Sequence, residues 1–228
     1  MKWKIVPNLI RITNFACRHN RRALFTMDKR SIFDPEHQQI DLSSKIIAGL
    51  ERISQAFKAL LWEKAKQLGL SPIQIQILIF VAYHKSEFNN VSFLAQEFNV
   101  TKPTISDAIR VLVKKELVIK DHSSADNRSY SILLSGKGKK IVAETEHFAN
   151  PLAEQLELVD TVEKENLFKT LSKLIYQLNQ IGVLTVQRTC FACKFYQKTA
   201  DDHYCNLLEK QLKHSDIRLD CVEFEGKL

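Results

Sequence analysis

Four cysteines near the C-terminus have a spacing from which chemistry can be read: Cys190-x-x-Cys193, eleven residues, Cys205, fifteen residues, Cys221. Four thiolates can close a tetrahedral Zn(II) site or hold an iron–sulfur cluster. The two-residue gap of the first pair lets one turn of chain offer two sulfurs to one metal, so that pair is the sharper signal and the wide later gaps discriminate less. Zinc is the commoner occupant of a closed four-thiolate site and is placed ahead of a cluster, which stays open as the alternative. A Cys-x-x-Cys can also be a redox pair, but no βαβ pattern accompanies it. Thiols that merely pack, with no metal, are the plain alternative. His203 and His214 are substitute ligands by type, although a histidine in a polar tail is more often solvated. Phe191, Phe195, Tyr196 and Tyr204 can pack around a site too small to own a core, and metal binding would then fold residues 188–228. Cys17 lies in a basic N-terminal stretch and is not counted in the set.

The tail must be carried by something, and the stretch from Val91 to Lys140 has the clearest order of elements. Val91, Leu94, Ala95 and Phe98 recur at helical spacing and give a helix with one apolar face. Asn99 and Val100 break it, and Thr101 is a good N-cap for a second helix, with Pro103 where a missing amide costs little. That second helix, from about Lys102 to Lys115, buries Ile105, Ala108, Ile109, Leu112 and Val113. Lys102, Thr104, Ser106, Asp107 and Arg110 are left facing out, a set of short hydrogen-bonding groups and one arginine that suits a helix placed in a major groove. Any amphipathic helix has a polar outer face, so this alone decides little.

The next segment changes the balance. Leu117, Val118 and Ile119, then Tyr130, Ile132 and Leu134, read as a two-stranded ribbon with a long polar tip between them. Ser123, Asp126 and Arg128 sit in that tip. A guanidinium there is suited to the negative potential of a minor groove, and Asp126 can hold it in place. Stiffening of the loop by the same Asp-x-Arg pair is the plainer account.

The order Leu94-Ala95-x-x-Phe98, Thr-Lys-Pro-Thr-Ile-Ser from Thr101, Leu117-Val118, Asp126-x-Arg128 and Leu134-Ser135-x-Lys137-Gly138 resembles the MarR-type bacterial transcription regulators, over roughly residues 40–187. Glu116 departs from the pattern, since the family usually has glycine before the Leu-Val strand. The resemblance implies a winged helix-turn-helix, a homodimer on an inverted-repeat operator in double-stranded DNA, and a repressor. It implies the Lys102–Arg110 helix in the major groove and the wing in the adjacent minor groove. The four-cysteine extension is no part of the general family pattern, so its role rests on the cysteines themselves.

The flanking helices fit a dimer. From His37 to Leu68, Ile46, Ile47, Leu50, Ile53, Phe57, Leu60 and Leu61 form one long amphipathic helix closed by Gly69. Ser71 caps a nearly all-apolar helix behind Pro72. After the wing, Ser135 caps a helix through Ile141, Val142, Thr145, Phe148 and Leu152 that Pro151 bends. Asp160 starts another, with a stripe of Leu167, Phe168, Leu171, Leu174, Ile175, Leu178 and Ile181. Two long stripes are more apolar surface than one small domain covers, and a second copy is the economical cover.

The expected fold is mainly α with a small β-wing: residues 1–36 a basic arm, 37–187 the winged-helix and dimerisation domain, 188–228 the metal-binding tail. The formal charge of +7 resides in residues 1–30, where eight basic residues face Asp28 alone; the remaining 25 basic and 25 acidic residues cancel. That arm could add phosphate contacts, be a disordered tail, or be an over-extended start with initiation at Met27. Ser92–Lys140 holds nine basic against five acidic residues, a local +4 on the segment expected to meet phosphates. No run approaches the eighteen or so apolar residues of a membrane helix, and five cysteines without a secretory signal suggest a cytoplasmic protein.

No nucleophile elbow, phosphate loop or dinucleotide fingerprint points to an enzyme. A redox or electron-transfer protein built on the Cys-x-x-Cys tail, and a metal-stabilised protein interaction module, are the rival classes. A small-molecule effector is left open, because the apolar residues between the helices and the reader are of ordinary types.

Overall fold

The computed structural model describes residues 30–122, 130–198 and 202–227. It divides into two units, residues 1–50 and 51–228.

In the first unit, α1 (Pro35–Ile40) starts on Asp34, whose carboxylate accepts the Glu36 amide at 3.0 Å. The expected single helix from His37 to Leu68 is interrupted. Asp41 is extended, and its carboxylate takes both the amide and the hydroxyl of Ser44, at 2.7 and 2.6 Å. A short acidic side chain that bonds the backbone three residues on ends one helix and caps the next. The second helix, α2, runs Leu42–Leu68.

The second unit continues with α3 (Pro72–Tyr83), α4 (Val91–Glu97) and α5 (Lys102–Lys114), then an antiparallel ribbon of β1 (Val118–Asp121) and β2 (Ser131–Leu134). It goes on through α6 (Gly136–Thr145), α7 (Asn150–Glu157) and α8 (Thr161–Gln180) to a three-stranded antiparallel sheet, β3 (Tyr196–Lys198), β4 (His203–Cys205) and β5 (Lys210–Leu212). Its core is made by Ile75, Ile77 and Leu78 of α3, Leu94 of α4, Ile105, Ile109 and Leu112 of α5 and Ile132 of β2, all fully enclosed.

Three sharp turns set the angles between successive elements, and each uses the same device. Gly69, Asn99 and Glu116 have φ of +59°, +52° and +61°. In each case the next residue's amide reaches back five positions, Leu70 to Ala65 at 2.9 Å, Val100 to Ala95 at 3.0 Å and Leu117 to Leu112 at 2.9 Å. This is the left-handed helix ending that glycine or asparagine favours. At Glu116 the same geometry is imposed on a residue with a Cβ, so the departure noted in the sequence leaves the turn intact at a conformational cost.

The base of the ribbon is equally constrained. Ser135 donates its amide to the Leu117 carbonyl at 3.1 Å, and its hydroxyl accepts the Gly138 amide at 2.9 Å, capping α6 as expected. A Cβ on Gly138 would stand 2.0 Å from the Leu117 oxygen. The glycine of the Leu-Ser-x-Lys-Gly segment is there because α6 crosses the ribbon backbone at contact distance.

Two further expectations are corrected, and one element is added. Val113 is 37% exposed rather than buried, because Leu112 takes the inward position. Pro151 does not bend a helix that continues; the chain leaves α6 after Thr145 and starts α7 at Asn150 with Pro151 in its first turn. A proline lacking its amide and crowding the preceding turn is tolerated only there. The tail, read from its cysteines and aromatics with no sheet expected, also contains a sheet whose three-residue strands are too short to leave an alternating pattern.

Candidate nucleic-acid interface and cysteine site

Helix α5 is anchored by its inner face and offers its outer one. Ile105, Ala108, Ile109 and Leu112 are buried, whereas Lys102, Thr104, Asp107 and Arg110 are exposed and Ser106 is half-buried. Thr101 caps the helix: its hydroxyl accepts the Thr104 amide at 3.3 Å and lies 2.8 Å from the Thr104 hydroxyl. Thr104 therefore has its hydroxyl engaged at the helix end. Arg110 pairs with Asp107 one turn earlier, both well exposed, which stretches the guanidinium along the outer face. The five outward-facing residues expected from the sequence thus share one face of one helix.

The ribbon is rooted in the same core. Val118 is buried and pairs with Leu134, Ile132 is fully enclosed, and the Ile132 amide donates to the Asn89 carbonyl at 2.8 Å. Of the wing positions named from the sequence, Ser123, Asp126 and Arg128 lie outside the described residues. At the base of the tip the structure adds two groups that sequence reading passed over. Lys120 is exposed with its ammonium 4.3 Å from the centre of the Tyr130 ring, and His122 stands 5.6 Å from the same ring. A lysine on the outward side of a short strand has no distinguishing pattern in sequence.

The cysteines come together from three places in the tail. Cys190 and Cys193 flank a single 3-10 turn, with the Cys193 amide donating to the Cys190 carbonyl at 3.0 Å. Cys205 ends β4 opposite Tyr196, and the Cys221 amide donates to the Arg188 carbonyl at 3.2 Å. All four thiols are free and line one cavity of about 30 Å³, with Phe195, Tyr196 and Leu212 in its walls. Two N–H groups of Arg218 point at sulfur: its amide at Cys190 (3.2 Å) and its guanidinium at Cys221 (3.8 Å). Burial pushes the Cys190 thiol up, the Arg218 amide opposes this, and the other three thiols add to the rise. Among the described residues no group of three or more His, Cys, Asp or Glu side chains is arranged so that it could hold a metal ion; the four thiols share a cavity. His203 and His214 lie apart from it. His203 is buried, with Nδ1 2.5 Å from the Tyr196 hydroxyl and Nε2 3.1 Å from His214.

One feature links tail and reader, and sequence reading missed it. Arg188 is buried and donates to Asp220 through Nε and Nη2 at 2.6 and 2.9 Å, and to Glu97 of α4 through Nη1 and Nη2 at 2.8 and 3.1 Å. Burial opposes its charge, but the Asp220 and Glu97 hydrogen bonds outweigh that and hold its pKa above the ordinary value. Asp220 also meets His84, at the end of α3, at 2.7 Å. Burial pushes the Asp220 carboxyl up, yet the hydrogen bonds of Arg188 and His84 bring it below the usual range. A second tie runs from the Thr185 hydroxyl to the Gln96 carbonyl at 2.6 Å.

Residues 68–129 match the model of the MarR family. No curated protein sequence matches the chain. Among solved structures, the chain is similar to MepR of S. aureus in a structure titled as a MepR–DNA complex, with 25% identity over 57% of this chain and 94% of that one and a TM-score of 0.50. It is similar to the transcriptional regulator PA3341 at 25% identity over 59% and 98% of the two chains, with a TM-score of 0.52. A MarR transcriptional regulator from Methanosarcina mazei Go1 shares the fold at 21% identity over 60% and 97%, TM-score 0.52. The similar structures account for at most three-fifths of the chain. The helix-turn-helix and ribbon of this chain, set in a mostly helical fold, are therefore similar to those of MarR-type winged-helix regulators.

Proposed function

We propose that the chain is a sequence-specific regulator of transcription that binds double-stranded DNA as a homodimer and acts as a repressor. The observation that carries this is the division of α5: Ile105, Ala108, Ile109 and Leu112 are locked into the core, while Lys102, Thr104, Asp107 and Arg110 on the opposite face are exposed, Thr104 bonded to the capping Thr101 and Arg110 to Asp107. A rigidly anchored helix with a free hydrogen-bonding face is what major-groove reading requires. The similarity to a MepR structure solved with DNA supports the same use of the helix. The ribbon is rooted in the same core, and Ser123, Asp126 and Arg128, outside the described residues, are the proposed reading set for the neighbouring minor groove, with Lys120 as an added phosphate contact.

A second copy is the partner that best covers the apolar faces left open. Along α2, Ile46, Leu50, Ile53 and Phe57 are each at least 40% exposed, and along α8 so is Leu167, with Ile181 at 73% just beyond its end. Apolar surface at helical spacing on long helices is the ordinary material of a subunit interface. A dimer would place two copies of α5 on two half-sites of an inverted repeat.

Selection of bound duplexes from a random pool, followed by titration of the best duplex against purified full-length chain, tests the reading. Enrichment of an inverted repeat, with affinity that falls steeply with salt, is the expected result. Recovery of no sequence, or equal binding to every duplex at physiological salt, would refute it.

A further inference from the structure

We propose that Cys190, Cys193, Cys205 and Cys221 are the four ligands of a single Zn(II) ion that holds the C-terminal tail in its fold. This goes beyond DNA reading and is measured without DNA, so either can fail while the other stands.

The chain brings four soft ligands to one small volume. The knuckle at Cys190–Cys193 supplies two sulfurs from one turn, β4 supplies the third at its end, and the segment held by Arg188 supplies the fourth. The cavity they line, about 30 Å³, has room for one ion, and a closed set of four thiolates is the usual donor set of structural zinc. Four thiolates around one divalent cation would leave a net charge of −2, and the two Arg218 N–H groups aimed at Cys190 and Cys221 are placed to offset it. N–H donors to ligating atoms are the usual outer support of such centres.

The competing ligands at the cavity are already occupied. Asp216 accepts the Lys213 amide at 2.9 Å and lies 3.6 Å from the Lys210 ammonium, and Glu223 lies 3.5 Å from that of Lys85. The two tail histidines face each other elsewhere. Thiols are left as the complete set.

The tail also needs a staple. Its buried apolar core consists of Cys190, Leu212 and Ile217, with Phe168 of α8, Phe191, Tyr196 and Cys205 packed around them. So few apolar groups cannot offset the conformational entropy of the segment they order, whereas a bound structural zinc contributes its binding energy to folding directly. Zinc binding would draw the four sulfurs in from the cavity walls and release the thiol protons.

The test uses the full chain purified aerobically and anaerobically, with elemental analysis and an absorbance spectrum of each. About one zinc per chain with no visible band is expected, with all four tail thiols unreactive to a thiol reagent until a strong chelator is added. Because a variant can lose its fold, each single Cys→Ser substitution is also loaded with Co(II). Loss or shift of the tetrahedral-thiolate cobalt spectrum in all four, with the helical circular dichroism kept, supports the set. Iron with a visible band, no stoichiometric metal, or full zinc content in the Cys190→Ser/Cys193→Ser double variant would overturn it.

Discussion

Arg188 donates two hydrogen bonds to Glu97, at 2.8 and 3.1 Å, across ninety-one positions of sequence, and in doing so ties the tail to the first helix of the helix-turn-helix. The guanidinium is planar and presents a fork to each of two carboxylates, Glu97 on one side and Asp220 on the other. Arg188→Ala would leave two carboxylates facing each other with no cation between them. A fully buried pair broken this way costs about 3–5 kcal/mol, and because Glu97 and Asp220 keep partial solvent access the loss expected here is about 2–3 kcal/mol, read by urea unfolding. Arg188→Lys recovers only part of it, since an ammonium cannot serve both carboxylates bidentately.

At Glu116 the prediction has the opposite sign. A residue with a Cβ held at φ +61° is strained relative to glycine. Glu116→Gly is expected to stabilise the protein by about 1 kcal/mol, visible as a rise in thermal midpoint with unchanged DNA affinity.

Gly138→Ala tests the close crossing of α6 over the ribbon. The added methyl would stand 2.0 Å from the Leu117 oxygen, so the helix must shift away. A loss of about 1–3 kcal/mol is expected, and weaker DNA binding with it, because the ribbon is displaced relative to α5.

On the reading face, Arg110→Ala and Lys102→Ala should separate. Arg110→Ala is expected to cost about 1–3 kcal/mol in affinity for the selected duplex and to relax preference at one base position. Lys102→Ala should weaken all duplexes alike and lower the slope of log affinity against log salt by about 1. Competition titrations at several salt concentrations distinguish them.

Removal of the proposed zinc should act on the tail first. With the ion chelated, cleavage by a protease is expected within residues 188–228 well before any in α3–α5, whose core does not involve the thiols. Simultaneous cleavage throughout would show that the reader depends on the metal for its own stability.

Much of the reader was legible because its signals are local. Thr101, Ser135 and Asp160 cap the helices they were expected to cap, and the apolar spacing of Leu94, Ile105, Ile109 and Leu112 marked the buried faces. Where local signals competed, the reading failed: nothing in the periodicity around Asp41 shows that its carboxylate will take Ser44 and stop the helix. The Arg188 tie was illegible for another reason. Glu97, Arg188 and Asp220 are ordinary charged residues in sequence, and only the fold brings the two carboxylates onto one buried guanidinium. The cysteines sat between these cases, their identity obvious from spacing and their shared cavity visible only once β4 and the Arg188–Asp220 bridge had placed the later two.

Two ties from the C-terminal segment, those of Thr185 and Arg188, fall on consecutive residues, Gln96 and Glu97, immediately before the left-handed turn at Asn99 that swings α4 into α5. That segment grips the reader at its elbow and leaves the palm free. A pull delivered there would change the pitch of α5 against a duplex without touching any side chain that meets a base, so substitutions that uncouple the tail would alter how tightly an operator is held and not which operator is chosen.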